Sequence, residues 1–180
     1  GPTLANCRFE NNVASASNNS LGGGIYVSNG DPTLNDCVFK GNVSNADGGS
    51  TATALGGGFH SALGSSPTLN GCVFEDNSVL STRESRGGGL SASGGELSLA
   101  DCVFKGNRST LRKDAVASGN SYGGGLYQSG SDTTINGCLF EENLVSGGGA
   151  SHGGGLYAGG DDLILIDTTF RANTSIMVDQ

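Results

Sequence analysis

Residues 34–42 read LNDCVFKGN, and residues 99–107 read LADCVFKGN. The same frame occurs six times, with an aliphatic residue five positions before a phenylalanine and an asparagine three positions after it. The phenylalanines of the frame are Phe9, Phe39, Phe74, Phe104, Phe140 and Phe170. Because short apolar stretches rich in β-branched and aromatic residues are bounded by glycine and asparagine, the frame favours short β-strands over helices.

A triple glycine followed by a hydrophobic residue separates consecutive copies of this frame. It occurs at 22–25, 56–59, 87–90, 123–126 and 153–156. The phenylalanines are 30, 35, 30, 36 and 30 residues apart, and repeats of this length bury a core by stacking on their neighbours. The sequence therefore predicts an all-β protein, a parallel β-helix (β-solenoid) of about six coils of 30–36 residues, with three strands per coil, as a single domain over 1–180.

The residue that follows each phenylalanine alternates in charge along the chain. These residues are Glu10, Lys40, Glu75, Lys105, Glu141 and Arg171. Opposite charges on neighbouring strands attract, so the alternation is what in-register stacking of successive coils requires. The position three before phenylalanine alternates as well, since Asp36, Asp101 and Asp167 are separated by glycines. We therefore predict a superrepeat of two coils, 65–66 residues long.

Composition excludes several classes of function. The chain has 33 glycines among 180 residues and a net charge of -8, so it lacks the positive surface that nucleic-acid binding requires. No apolar run approaches the roughly 18 residues of a membrane span. We expect neither a nucleic-acid partner nor membrane insertion by this segment.

The two motifs together resemble those of right-handed parallel β-helix proteins, and among them the repeats of bacterial polymorphic outer-membrane proteins and autotransporter adhesin passengers. That family alternates a GGA-hydrophobe motif with F-x-x-N, and here GGG-hydrophobe occurs five times and F-x-x-N six times. The resemblance implies a right-handed solenoid, in agreement with the general twist of β-strands. It also implies an extracellular or cell-surface location and a role in adhesion, without naming a ligand.

Two columns of equivalent residues are predicted to have structural roles. We expect the asparagines to turn inward and bond to backbone groups at the bend: Asn12, Asn42, Asn77, Asn107, Asn143 and Asn173. The cysteines two before each phenylalanine are expected to face the core: Cys7, Cys37, Cys72, Cys102 and Cys138. The sequence has no C-x-x-C pair of the kind that would indicate a metal site. We favour a buried column of thiols over disulfides, which stay an open alternative.

Two outward columns are candidates for binding. One is an exposed, partly aromatic stripe that could stack on sugar rings or on another protein: Tyr26, His60, Tyr127 and Tyr157. The other is an apolar strip: Val38, Val73, Val103 and Leu139. A continuous exposed apolar strip indicates a covered face. We expect the segments 43–55 and 108–122, interpreted as loops, to lie over it, with another chain as the alternative.

No constellation of residues indicates catalysis. The repeated aspartates read as turn residues, and a catalytic site would break the repeat instead of following it. We predict a non-enzymatic structural or adhesive module, a rigid stalk or filament subunit, with a carbohydrate-binding or pectate-lyase-like β-helix as the alternative. No cofactor or metal is expected, with weak Ca²⁺ binding at acidic loops left open. The expected partners are further copies of the chain, end to end or side by side, neighbouring surface proteins, or glycans. Because neither end resembles a cap, the chain reads as a segment of a longer solenoid or a stacking fibre module.

Overall fold

The computed structural model describes residues 1–62, 64–112, 115, 119–130, 132–160 and 162–177. Successive coils repeat the same order of short strands. The first coil contains β1 (Thr3–Ala5), β2 (Arg8–Glu10), β3 (Val13–Ala16), β4 (Asn19–Leu21) and β5 (Ile25–Val27). The second contains β6 (Thr33–Asn35), β7 (Val38–Lys40), β8 (Val43–Ala46), β9 (Thr53–Leu55) and β10 (Phe59–Ser61). The third contains β11 (Thr68–Asn70), β12 (Val73–Glu75), β13 (Ser78–Ser81), β14 (Glu84–Arg86) and β15 (Leu90–Ser93).

The remaining coils follow the same plan. The fourth contains β16 (Leu97–Ala100), β17 (Val103–Lys105), β18 (Arg108–Leu111), β19 (Asn120–Tyr122) and β20 (Leu126–Ser129). The fifth contains β21 (Thr133–Asn136), β22 (Leu139–Glu141), β23 (Leu144–Gly147), β24 (Ala150–His152) and β25 (Leu156–Ala158). The last strands are β26 (Leu163–Ile166), β27 (Thr169–Arg171) and β28 (Thr174–Met177). Within the described ranges the helical structure is a single 3-10 turn at Gly49–Thr51, and no helix there could cross a membrane.

Equivalent strands of successive coils pair in parallel and build five sheets, numbered here by their first strands β1 to β5. Sheets 1, 2 and 3 have six strands, and sheets 4 and 5 have five. The predicted parallel β-solenoid is confirmed, but it has about five turns instead of six coils. The expectation of three strands per coil is wrong, because the serine-rich segments interpreted as loops form the strands of sheets 3 and 4.

The predicted register is also found in the structure. Phe39, Phe74 and Phe104 pair directly across neighbouring strands of sheet 2. Their rings stack with centroids 4.7 Å apart and planes within 2° of parallel. Burial of aromatic surface in such stacks stabilises a core by both area and ring contact. The phenylalanine stack therefore forms the central part of the core.

Backbone geometry explains the alternation of aspartate and glycine. Asp36 and Asp101 have φ near +50°, and Gly71 between them has φ +60°. This left-handed conformation favours glycine, asparagine or aspartate. A side chain on Gly71 would lie 2.5 Å from Oδ1 of Asp36 on the preceding coil. Each aspartate therefore fills the space beside the next residue of its column, which leaves room there only for glycine, and a two-coil period results.

The alternating charges form ion pairs along the outer face of sheet 2. Lys40 Nζ lies 2.9 Å from Glu75, and Lys105 Nζ lies 3.3 Å from Glu141. Arg171 donates to the same Glu141 carboxylate at 2.5 Å. Arg171 and Lys105 lower the pKa of Glu141 by hydrogen bonding to its charged form. These exposed pairs define the register more than they stabilise the fold.

Reversing one charge in this column should destabilise the solenoid in a salt-dependent way. Lys105→Glu places a carboxylate between Glu75 and Glu141, so we expect a lower melting temperature at low ionic strength and a smaller loss at 1 M salt, where the charges are screened. Lys105→Gln is the matched control, because it removes the attraction without adding repulsion. Equal melting of Lys105→Glu and Lys105→Gln at low salt would contradict the observed register.

Candidate functional site

A groove runs along the outside of the molecule where sheets 4 and 5 meet at the triple-glycine turns. Gly22 opens the first of these turns with φ +61°, and a side chain there would collide with the backbone of Ile25. Side chains on the two sides of the turns contact each other, since the ring of Tyr122 on sheet 4 lies 5.0 Å from that of Tyr157 on sheet 5. The walls of this aromatic groove are Leu21, Leu55, Arg86, Tyr122 and His152 on sheet 4, and Tyr26, His60, Ser91, Tyr127 and Tyr157 on sheet 5.

The aromatic stripe predicted from sequence forms one wall of this groove. Tyr26 is 47% exposed and Tyr157 is half-buried. The predicted exposure is wrong for His60 and Tyr127, which are only 3% and 6% exposed. Both lie at the bottom of the groove, where the opposite wall covers them. The rings of this column stack in two separate pairs. The ring centroids of Tyr26 and His60 are 5.5 Å apart, and those of Tyr127 and Tyr157 are 5.3 Å apart.

Arg86 fills the gap between these two aromatic pairs. Ser91 occupies that position of the column and is too small to reach its neighbours, and it is itself fully buried. The guanidinium carbon of Arg86 lies 5.1 Å from the centre of the Tyr127 ring, within the range of a cation–π interaction. Nε and one terminal nitrogen of Arg86 donate to Glu84 at 2.9 and 2.6 Å. The cation in the groove is therefore already paired with a carboxylate of its own strand.

His60 is a neutral imidazole within the groove. Burial lowers its pKa to about 4, the nearby Arg86 acts in the same direction, and the contact with Ser91 opposes them. Nδ1 of His60 lies 3.1 Å from the carbonyl oxygen of Ser91. Because a carbonyl only accepts hydrogen bonds, we assign the proton of the neutral ring to Nδ1. At neutral pH this part of the groove carries no charge on histidine.

This burial makes stability depend on pH. The unfolded chain binds the His60 proton near pH 6.5, whereas the folded protein binds it only near pH 4, so the unfolded state carries more protons between these values. We expect His60 alone to lower the free energy of unfolding by about 3 kcal/mol as the pH falls through that window. His60→Asn keeps a donor for Ser91 but does not titrate, and urea unfolding at several pH values should show a flatter profile for this variant. Parallel profiles for parent and variant would refute the assignment.

A cleft opens at one end of the aromatic groove, over the first three coils. Its volume is about 440 Å³, within the range of ligand-binding pockets. Two leucines and two aromatic rings form its walls, and residues at or just beyond the ends of the strands of sheet 5 form its rim. The residues lining it are Leu21, Tyr26, Ser28, Asn29, Leu55, His60, Ala62 and Ser93.

The predicted apolar strip lies on the outer face of sheet 2. Val38, Val73 and Val103 pair directly on neighbouring strands, and each is half-buried. Leu139 continues the strip and is also half-buried. The expectation that segments 43–55 and 108–122 cover it as loops is wrong where they are described, because β8, β9, β18 and β19 are strands of sheets 3 and 4. Residues 113, 114 and 116–118 lie outside the described part of the chain.

The six asparagines of the repeated frame form one hydrogen-bonded column. Oδ1 of Asn107 accepts from both the backbone and the side-chain nitrogen of Asn77, each at 3.0 Å. Nδ2 of Asn107 donates to the Phe74 carbonyl at 2.8 Å and to Asn143 at 3.0 Å. Asn42, Asn77, Asn107 and Asn143 are fully buried, whereas Asn12 and Asn173 at the two ends are not. This column is part of the scaffold behind the groove.

The cysteine column is a set of free thiols facing the core. Sγ of Cys37 lies 3.4 Å from the carbonyl of Asn35, and in the sixth copy Oγ1 of Thr168 donates to the equivalent carbonyl of Ile166 at 2.9 Å. The position therefore needs a small donor more than it needs sulfur. The thiols of Cys138 and Cys72, together with burial, raise the pKa of Cys102. No group of three His, Cys, Asp or Glu side chains suited to a metal ion occurs in the described ranges.

Sequence reasoning missed one wall of the groove. Each residue of the wall on sheet 4 directly precedes a triple glycine, as Leu55 and Tyr122 do. That column is as regular as the column two residues after the glycines. The signal was available, but only if the glycines are understood as a turn that brings the residues on both sides together.

Comparison with known proteins agrees with this architecture. Residues 6–28 match the family model described as the Chlamydia polymorphic membrane protein repeat. The matched stretch contains Phe9 and Asn12 of the repeated frame and the first triple glycine. No curated protein and no solved structure gives a significant match to the chain. The chain thus contains a polymorphic-membrane-protein-like parallel β-helix repeat.

Proposed function

We propose that the chain is a non-enzymatic, rigid segment of a surface or outer-membrane protein of the adhesin type. The observation that carries this proposal is the unbroken in-register stacking of the phenylalanine and asparagine columns through every coil. Between the described strands this stack has no hinge, because each coil is fixed to the next by backbone pairing and by buried side chains. The match to a polymorphic membrane protein repeat supports the surface location.

The placement of the acidic residues supports a non-enzymatic role. Hydrolysis of a glycosidic bond usually needs two carboxyl groups facing one bond. Asp36 and Asp101 instead occupy equivalent left-handed turn positions two coils apart, and Gly71 lies between them. Glu75 and Glu141 are engaged in ion pairs with lysines. Each of these acids has a role in the turn or in the charge column that the repeat itself accounts for.

Surface labelling tests the proposal. Antibodies raised against the folded chain should label intact cells of the source organism, with an antibody to a cytosolic protein as the control for leakage. We expect labelling without permeabilisation. Labelling that appears only after permeabilisation would overturn the proposed location and with it the adhesin-type role.

A further inference from the structure

The cleft at the end of the aromatic groove is uncharged. None of the described residues that line it is an acid, a lysine or an arginine, and His60 is neutral at physiological pH. The nearest cation of the groove, Arg86, is held by Glu84. A charged ligand would lose its hydration without gaining a partner of opposite charge in this cleft. The net charge of -8 further disfavours acidic ligands. The chemistry of the site therefore selects an uncharged molecule.

The cleft has an apolar side and a polar side. Leu55 and Tyr26 present carbon-rich surface above the buried His60 ring, while Ser28, Asn29 and Ser93 place hydroxyl and amide groups at the rim. Asn29 has φ +54°, and its side-chain amide nitrogen donates to the Ser28 hydroxyl at 3.3 Å. The second hydrogen of this amide can donate to a ligand. A pyranose ring has the matching character, with C–H groups on its faces and hydroxyl groups around its edge.

We propose that this cleft binds a pyranose of an uncharged glycan, with the sugar against Leu55 and the exposed edge of Tyr26, whose face stacks on His60, and with its hydroxyls at Ser28, Asn29 and Ser93. The site gives the proposed adhesin-type role a ligand class, and in that sense it rests on the proposed function. Binding itself is a property of the purified chain, so it is measured independently of the cellular location.

The test uses ligand-observed NMR and calorimetry with the purified 180-residue chain. The neutral probes are maltotetraose, cellotetraose, chitotetraose and lacto-N-tetraose. The comparison probes are sialyllactose, a heparin tetrasaccharide, and an uncharged capped tetrapeptide of leucine and tyrosine. We expect saturation transfer to at least one neutral oligosaccharide, with little or none to the acidic sugars and the peptide.

Two tyrosines of the same column provide the matched variants. Tyr26→Ala removes a ring that lines the cleft and should weaken binding by about tenfold. Tyr157→Ala removes a ring of the same wall that lies outside the cleft and should change affinity less than about twofold. Asn29→Asp keeps a residue type that tolerates the left-handed backbone, removes the amide donor and adds a charge, so it should also weaken binding even if Tyr26→Ala folds poorly.

Three results would overturn the proposal: no binding of any neutral oligosaccharide, preference for the acidic sugars or the peptide, or equal loss in Tyr26→Ala and Tyr157→Ala. Unchanged affinity of a folded Asn29→Asp would exclude the rim. A negative result here leaves the surface-labelling experiment intact, and failure of surface labelling leaves the binding result intact. The two proposals therefore fail separately.

Discussion

Asn107→Ala should lower the free energy of unfolding by about 4 kcal/mol, because several buried groups lose their only side-chain partner at once. The backbone and side-chain nitrogens of Asn77 lose their acceptor, and the Phe74 carbonyl loses its donor. Each unpaired buried group costs about 1–3 kcal/mol. Urea unfolding followed by circular dichroism measures the change.

Asn12→Ala is the matched control for this prediction. Asn12 belongs to the same column but is exposed, and its side chain makes one hydrogen bond, to Oδ1 of Asn42. Water can replace that partner, so the loss should stay below about 1 kcal/mol. Equal losses for Asn12→Ala and Asn107→Ala would show that the asparagine column does not act as a buried network.

Gly88→Ala should destabilise the fold by about 3 kcal/mol or more, since the added methyl group has no free space. A side chain at Gly88 would lie 2.5 Å from the backbone nitrogen of Arg108 and would collide with the carbonyl of Gly124 on the next coil. The neighbouring Gly89 is also confined, because a side chain there would lie 2.7 Å from the carbonyl oxygen of Gly125, 3.1 Å from Asn107 and 3.2 Å from Phe104. The triple glycine and the F-x-x-N frame thus pack against each other inside each coil.

Gly30→Ala provides the comparison for the glycine variant. Among the described residues, an added methyl group at Gly30 meets only Val27, at an ordinary contact distance of 3.8 Å, and the φ of Gly30 is not in the left-handed region. We expect a change within about 0.5 kcal/mol. If thermal unfolding gave Gly88→Ala the same stability as Gly30→Ala, the close approach of the glycine turn to the core would be refuted.

The fold class and the register could be predicted from sequence because the columns of the repeat carry their own checks. Phe39 and Phe74 are the same residue, and Lys40 and Glu75 carry opposite charges that attract. Both comparisons give the same alignment of coils. Sheets 3 and 4 could not be predicted in this way. Their inward residues include serines instead of hydrophobic residues, so these segments lack the apolar alternation that identifies strands.

Small polar residues form strands here because sheets 3 and 4 lie close together. Ser44 donates to the carbonyl of Ser20 across the interior at 2.9 Å, and Ser109 donates to that of Ser85 at 2.9 Å. A buried hydroxyl is tolerated when it is hydrogen-bonded. A second cluster of small apolar side chains completes this part of the core: Ala46, Ala52, Ala54 and Val79. Burial of serine cannot be distinguished from exposure by composition alone.

The candidate site was only half predictable for a related reason. The stripe of Tyr26, Tyr127 and Tyr157 follows from strand alternation, which says that a side chain points outward but not whether the outer surface is concave there. The turns at the triple glycines make it concave. His60 and Tyr127 are buried for this reason, and the Arg86 side chain on sheet 4 lies against the Tyr127 ring of the column. Outward side chains near a tight turn form a groove instead of an exposed stripe.

A rigid solenoid with a lateral cleft combines two properties in one segment. The stacked coils hold the cleft at a fixed position, since its lining comes from three successive coils that are joined by parallel pairing. A site built on strands keeps its geometry better than a site built on loops. The proposed rigid surface segment and the proposed glycan site therefore depend on the same in-register stack.

One distance tests that stack most directly. Residues 10 and 171 lie in the same outward column of sheet 2, separated by five steps between paired strands. At about 4.8 Å per step the separation is about 24 Å. Spin labels attached to non-natural ketone side chains at these two positions avoid the native thiols, and double electron–electron resonance measures their distance. A narrow distribution near that value is expected, and a broad distribution or one centred far beyond it would contradict a rigid, in-register solenoid.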